Sequence, residues 1–148
     1  MSTANALPCE ITRQVRDTCL CLHLQRAARA VARRFDAALR PLALTSGQFS
    51  LLMSLNRHEA PSIGSVSALL AMDRTTLTAN LKPLERRGLV TVAVDDRDKR
   101  SRRLALTSAG RALLVAAVPV WEETHAEIER GLTGGDPDRL RAELRALS

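Results

Sequence analysis

The chain has 148 residues, 45% hydrophobic and 26% charged, with 2% aromatic side chains and a net charge of +6. That length suits one compact domain, or a small domain with arms that pack on a second copy. The composition is globular, no apolar run approaches the roughly twenty residues of a membrane span, and the positive charge favours an anionic partner such as nucleic acid.

MSTANALPCE at the N-terminus lacks the basic-then-apolar pattern of a signal peptide. Cys9, Cys19 and Cys21 make no disulfide framework. Both readings point to a cytoplasmic protein with no membrane partner. All basic residues except Lys82 and Lys99 are arginine, a bias that a GC-rich genome would also produce.

Residues 10 to about 40 read as one long helix. Cys21, Leu24, Ala28, Val31, Phe35, Ala38 and Leu42 recur at spacings of three and four, forming one apolar stripe. Arg26, Arg29, Arg33, Arg34 and Arg40 fall between them, and Pro41 ends or kinks the helix. Thr45 and Gln48 have capping-box spacing, so a helix starts at Ser46 and runs to about Arg57, burying Phe49, Leu52 and Leu55 or their neighbours. Residues 58–61 form a loop. A short helix then carries Val66, Leu69 and Leu70 and stops near Met72.

Asp73 is placed to cap the next helix, RTTLTANLKPLERRG, which Gly88 ends. Residues 89–94 read as a strand, DDRDKR at 95–100 as a charged turn and 101–106 as the returning strand. Thr107 caps a second long helix. Leu113 or Leu114, Ala117, Val120 or Trp121, Thr124 and Ile128 share one of its faces, and Pro119 should kink it. Gly134 and Gly135 break the chain before a last short helix over 136–147. The fold class is therefore mainly α with a small β-hairpin: a winged helix-turn-helix. Its division is an N-terminal arm at 1–42, a winged helix at 43–106 and C-terminal helices at 107–148. The two arms have more apolar face than a small central domain can cover, which predicts a twofold homodimer.

On the helix that begins at Arg74, Leu77, Leu81 and Leu84 lie within about 60° of one another and make the buried stripe. Thr75, Ala79, Lys82 and Arg86 point the other way, flanked by Thr76 and Thr78. Short side chains let a helix backbone approach a groove, and threonine can meet a base edge or the thymine methyl. Lys82 and Arg86 suit phosphate contacts that set register. By itself this is also how a solvated amphipathic helix looks. The following RDKRSRR, with five basic residues and one acid, favours double-stranded DNA, because a basic wing tip can place arginine in the minor groove. Asp95, Asp96 and Asp98 are expected to pair with neighbouring arginines and shape the turn.

LTSGQFSLLMSL, MDRTTLTANLKPLERRGLV and DDRDKRSRRLALTSAGR together resemble the MarR family of bacterial transcriptional regulators over roughly residues 15–145. The resemblance implies a homodimeric repressor on a pseudo-palindromic operator, released by a small aromatic ligand, a metal or cysteine oxidation. It implies that Arg74, Thr75, Thr76, Thr78 and Ala79 read bases and that Lys82 meets the DNA backbone. Pro83 stands where a basic residue is usual. Arg97 and Arg100 match wing arginines, with Asp98 as the partner of Arg100.

Cys21 matches the reactive cysteine of the family's organic-hydroperoxide sensors. Gln25, Phe35 and Ser46 stand where their tyrosines would be, and a thiolate needs hydrogen-bonding or cationic neighbours. In the apolar stripe Cys21 reads instead as a small buried hydrophobe. Cys19 and His23 share a face but are too few for a metal site, so no metal or cofactor is expected. Trp121, Phe35 and Phe49 read as core or as the lining of a ligand cavity. No phosphate loop, zinc-protease motif or nucleophile–base pair is present, so no enzyme is expected and no residue is catalytic. The alternative to a DNA-binding regulator is a winged helix that docks a protein.

Overall fold

The computed structural model describes residues 6–148; residues 1–5, where part of the signal-peptide reading falls, lie outside it. In chain order the elements are α1 (Cys9–Thr18), α2 (Leu20–Leu39), a 3-10 turn (Arg40–Leu42), α3 (Ser46–Ser54), α4 (Ile63–Leu70), α5 (Arg74–Arg86), β1 (Val90–Val94), β2 (Arg102–Leu106), α6 (Ser108–Arg130) and α7 (Pro137–Ala146). Two helices before an antiparallel hairpin give the winged helix-turn-helix that the spacing predicts. The register runs from Val90 opposite Leu106 to Val94 opposite Arg102.

The expected first helix is in fact two. Cys19 is extended, with ψ 111, and donates its N–H to Val15 O. The preceding Thr18 turns its hydroxyl back onto Gln14 O at 2.7 Å, a local competitor for the helical ladder. The arm is also barer than the stripe implies: Cys21, Leu24, Ala28 and Val31 are exposed, and cover begins only at Phe35 and Leu39. Pro41 ends the segment through the 3-10 turn, and Ala43 then takes a left-handed φ of 52°.

α3 carries the full capping box, Thr45 Oγ1 accepting from Gln48 N–H while Gln48 Oε1 accepts from Thr45 N–H, each at 3.1 Å. It stops at Ser54, short of Arg57, because Leu55 N–H bonds Leu52 O in a tightened last turn. Leu51 joins the expected Phe49, Leu52 and Leu55 in the core. Between α4 and α5 the chain turns on Ala71, whose left-handed φ of 49° is rare without glycine. The Ser67 hydroxyl donates to Met72 O across that turn.

α5 ends in a Schellman arrangement. Gly88 has φ 71° and donates to Glu85 O, while Leu89 N–H reaches Leu84 O at 3.0 Å. Leu84 and Leu89 are both buried, which completes the cap. The first turn of α6 docks on this corner. Thr107 Oγ1 accepts from Gly110 N–H at 3.0 Å and donates to Gly88 O at 2.6 Å. A Cβ on Gly110 would lie 2.1 Å from Leu89 O, so no side chain fits there. Pro119 lies within α6 without ending it, and α7 follows a turn with Gly134 at φ 71°.

One core joins Leu39 of α2 to Leu52, Val66, Leu77, Leu84, Leu104, Leu114 and Ala117. It spans both expected boundaries, since Leu39 comes from the N-terminal arm and Leu114 and Ala117 from α6. α1 and α7 bury no residue. Among the described residues no helix is long and apolar enough to cross a membrane.

Candidate nucleic-acid interface

α5 is anchored by Leu77, Leu81 and Leu84, each at most 3% exposed, so its opposite face is fixed in direction and open to solvent. Asp73 caps it as expected. Its Oδ1 accepts from Thr76 N–H at 2.8 Å and its Oδ2 from the Thr76 hydroxyl at 2.7 Å. These bonds, the main-chain one first, hold the Asp73 carboxyl below its ordinary pKa. The Thr76 hydroxyl is thus engaged at the helix start, while the Thr78 hydroxyl donates to Arg74 O at 2.8 Å. Thr75, Ala79 and Lys82 are exposed. Pro83 is half-buried within the helix, and Arg87, its C-cap, donates to Ala43 O at 2.7 Å. That bond ties the end of α5 to the junction of arm and lobe.

The hairpin tip is braced by its acids, though not as three salt bridges. Asp95 Oδ1 accepts from Arg97 N–H at 3.0 Å, and its Oδ2 pairs with Arg103 Nε at 2.8 Å. The Arg97 N–H first, and the Arg103 guanidinium after it, hold the Asp95 carboxyl below the usual carboxylate range. Asp98 meets Arg100 through the main chain, its Oδ1 accepting the Arg100 N–H at 3.0 Å. Arg103 also donates to Ala60 O at 3.1 Å, and Leu104 N–H bonds Pro61 O at 2.9 Å. These bonds fasten the wing to the segment before α4.

The two halves meet in a 320 Å³ cleft lined by Arg74, Thr78, Asp98, Arg100 and Arg102, together with Ser62, the N-cap of α4, and Gly64 in its first turn. Of the residues singled out in the sequence, Arg74, Thr78, Asp98 and Arg100 come together here. Thr75, Thr76, Ala79 and Lys82 do not line it, and neither does Arg97. Arg102, Arg103 and Gly64 were missed. RDKRSRR contains both arginines, but only the hairpin register separates the one facing the cleft from the one locked to Asp95.

Elsewhere, Cys21 is exposed, contrary to its reading as a buried hydrophobe, because the face of α2 that it shares with Leu24 and Ala28 is uncovered. Gln25, which stands in place of a tyrosine, donates to Cys21 Sγ at 3.3 Å and accepts from Arg29 at 3.3 Å. The His23 ring nitrogen Nδ1 lies 2.8 Å from Cys19 O. A second cleft, of 420 Å³, opens between α3, α4 and α6 beside Phe49, Met53, Leu70 and Trp121. Trp121 stacks between Phe49, 6.3 Å away, and His125, 4.9 Å away. Phe35 packs against the core instead.

The sequence profile of the MarR family matches residues 44–101, which run from the α3 cap into the wing. The organic hydroperoxide resistance transcriptional regulator of Bacillus subtilis is 32% identical over 68% of this chain and 69% of its own. The transcriptional regulator MosR of M. tuberculosis, in a crystal structure with DNA, superposes with a TM-score of 0.80. It is 38% identical over 88% of this chain and 93% of its own. CouR of Rhodococcus jostii, bound to p-coumaroyl-CoA, gives a TM-score of 0.71 at 25% identity, over 88% of this chain and 90% of its own.

Proposed function

The chain belongs to the MarR family of transcriptional regulators, and from that premise we propose that it is a cytoplasmic homodimeric repressor that binds a pseudo-palindromic operator. One observation carries the reading. Three buried leucines aim a face of small and basic side chains outward beside a wing fastened to the same lobe, so both move as one body. Thr75, Thr78 and Ala79 then read bases, Lys82 and Arg100 meet phosphates, and Arg97 enters the minor groove. Thr76 contributes through the helix start it holds. The 43–106 segment is the DNA-binding part and the flanking segments dimerise. Exposed Leu20, Leu24 and Val31 on α2 and Leu140, Leu144 and Leu147 on α7 supply apolar surface for that dimer. A small aromatic ligand in the cleft beside Trp121 is the releasing signal.

The test is binding to DNA from around the protein's own gene, titrated with salt and unrelated competitor. A protected palindrome, with affinity falling steeply as salt rises, is expected. Equal, weak binding to all duplexes would leave the protein-docking alternative in its place.

A second reading, thiol-based peroxide sensing, has one observation on its side: Cys21 is exposed and accepts a hydrogen bond from Gln25. The ligand reading expects a mild organic hydroperoxide to leave the operator complex intact. Release by peroxide that Cys21→Ser abolishes would decide for the thiol.

A further inference from the structure

Arg74 opens α5, yet its guanidinium does not extend freely from the helix. A Cβ built on Gly64 would stand 3.0 Å from Arg74 Nη2 and 3.8 Å from its Cζ, so the side chain lies across the first turn of α4 in space that glycine leaves empty. There it lines the 320 Å³ cleft together with Arg100 and Arg102 of the hairpin. The lining thus holds three arginines and one carboxylate, Asp98, whose Oδ1 already accepts the Arg100 N–H. Arg102 is steadied by donating to Lys99 O at 3.2 Å and Ser101 O at 3.3 Å. Among the described residues neither Arg74 nor Arg100 forms a salt bridge. Convergent like charges repel, and an anion seated among them removes that repulsion and adds charge-assisted hydrogen bonds.

We propose that this cleft seats a single backbone phosphate of double-stranded DNA, held by Arg74, Arg100 and Arg102, with Gly64 as the residue that positions Arg74. The assignment rests on the DNA-binding reading above and departs in two respects from what the family resemblance implies. Arg74 leaves the base-reading set, and Arg102 enters as a phosphate contact. The cleft lies at the seam of α4, α5 and the wing, where a strand bordering the groove entered by α5 would run. The Arg74 guanidinium lies against Gly64 of α4 and lines the cleft, which Thr75 and Ala79 do not.

The experiment uses the full chain, DNA from around its own gene, an unrelated duplex and a salt series. Arg74→Ala and Arg102→Ala should each weaken both duplexes by the same factor, about tenfold. Each should reduce the slope of log affinity against log salt, by at most about 0.9 for each half-site of the dimer. Arg102→Lys should restore the slope. Gly64→Ala should push the guanidinium aside and lower affinity in the same uniform way, while melting stays level or rises because alanine favours the α4 helix. In an Arg74→Ala background Gly64→Ala should cost nothing further, since its effect acts only through Arg74.

A changed preference between the duplexes in Arg74→Ala would return that residue to base reading and overturn the proposal. Unchanged slopes, or a Gly64→Ala loss that persists without Arg74, would overturn it too. If the unaltered protein binds neither duplex, the DNA reading fails and the cleft assignment falls with it. Normal binding with unaffected slopes defeats the cleft assignment alone.

Discussion

α5 and α2 are both amphipathic helices studded with arginine, but their apolar stripes meet different fates. The three leucines of α5 are at most 3% exposed, whereas on α2 Leu20 is 69%, Leu24 36% and Val31 37% exposed. The partner of α5 lies within the chain: α4, β1 and the underlying core take its leucines. The first half of α2 has no such partner, and α7, with exposed Leu140, Leu144 and Leu147, has none either. The same sequence pattern thus marks a face that folding completes and a face that only association can complete.

The sharpest way to break this comparison is truncation on each side. Leu84→Ala should destabilise the lobe by about 2–5 kcal/mol, the usual cost of emptying a packed core site. Leu24→Ala should leave the unfolding of the isolated chain within about 0.5 kcal/mol of the parent, as surface changes do. It should nevertheless raise the concentration at which dimers dissociate. Denaturant melts at two protein concentrations, with sedimentation, separate the two effects. Equal losses in both variants, independent of concentration, would mean that α2 is covered within one chain.

Gly110→Ala tests how tightly α6 is married to the lobe. Its Cβ would meet the Leu89 carbonyl at 2.1 Å, a backbone oxygen that already accepts from Thr107 N–H. Overpacking commonly costs about 1–3 kcal/mol, and here the wing base must shift with α6. We expect a lower melting temperature together with weaker DNA binding. A fall in stability with DNA affinity intact would show that α6 and the wing relax separately.

The contrast also explains what could be read from the sequence. The α5 stripe, the capping box, the Asp73 and Thr107 caps and the hairpin were legible because each depends on residues a few positions apart. Gly110 was not, since its demand comes from the Leu89 carbonyl of another element. Ala43 and Ala71, left-handed without being glycine, gave no local signal for their turns. The stripe of Cys21, Leu24 and Val31 was visible as a pattern, but a pattern does not say whether its cover lies in the same chain. Within the candidate site the basic residues were found as a group. Their division into Arg103 locked to Asp95, Arg102 at the cleft and Arg97 at the tip needed the pairing register. The family resemblance implies that Thr76 reads bases, and the bond of its hydroxyl to the Asp73 carboxylate is visible only in three dimensions.

A smaller effect probes the outward faces themselves. Arg97→Ala removes a side chain from the exposed wing tip and touches neither core nor brace. Its stability should match that of the parent, while DNA affinity falls by about 1–3 kcal/mol, the usual worth of an arginine contact. Fluorescence anisotropy on the own-gene duplex measures this directly. Parent-like affinity would remove Arg97 from the interface and leave the wing attached but idle.

The smallest predicted effect concerns the brace. Asp95 accepts from Arg97 N–H and Arg103 Nε, and both bonds favour the charged carboxylate, so its folded pKa lies below the unfolded value of about 4. For a depressed carboxylate pKa, the contribution to stability is fully present above the unfolded value. It is lost as pH falls through the folded one. DNA binding between pH 6 and 8 should therefore be insensitive to this group, and the wing should loosen only in acid. A carboxyl-detected NMR titration should place the Asp95 midpoint below that of a free aspartate. Asp95→Asn should cost less DNA affinity than Arg97→Ala, because Arg103 keeps its bond to Ala60 O and Leu104 its bond to Pro61 O. A midpoint at or above the free value would mean that the bonds to Arg97 and Arg103 do not persist in solution. The wing would then be held by its link to residues 60 and 61 alone, and the asparagine variant should bind DNA like the parent.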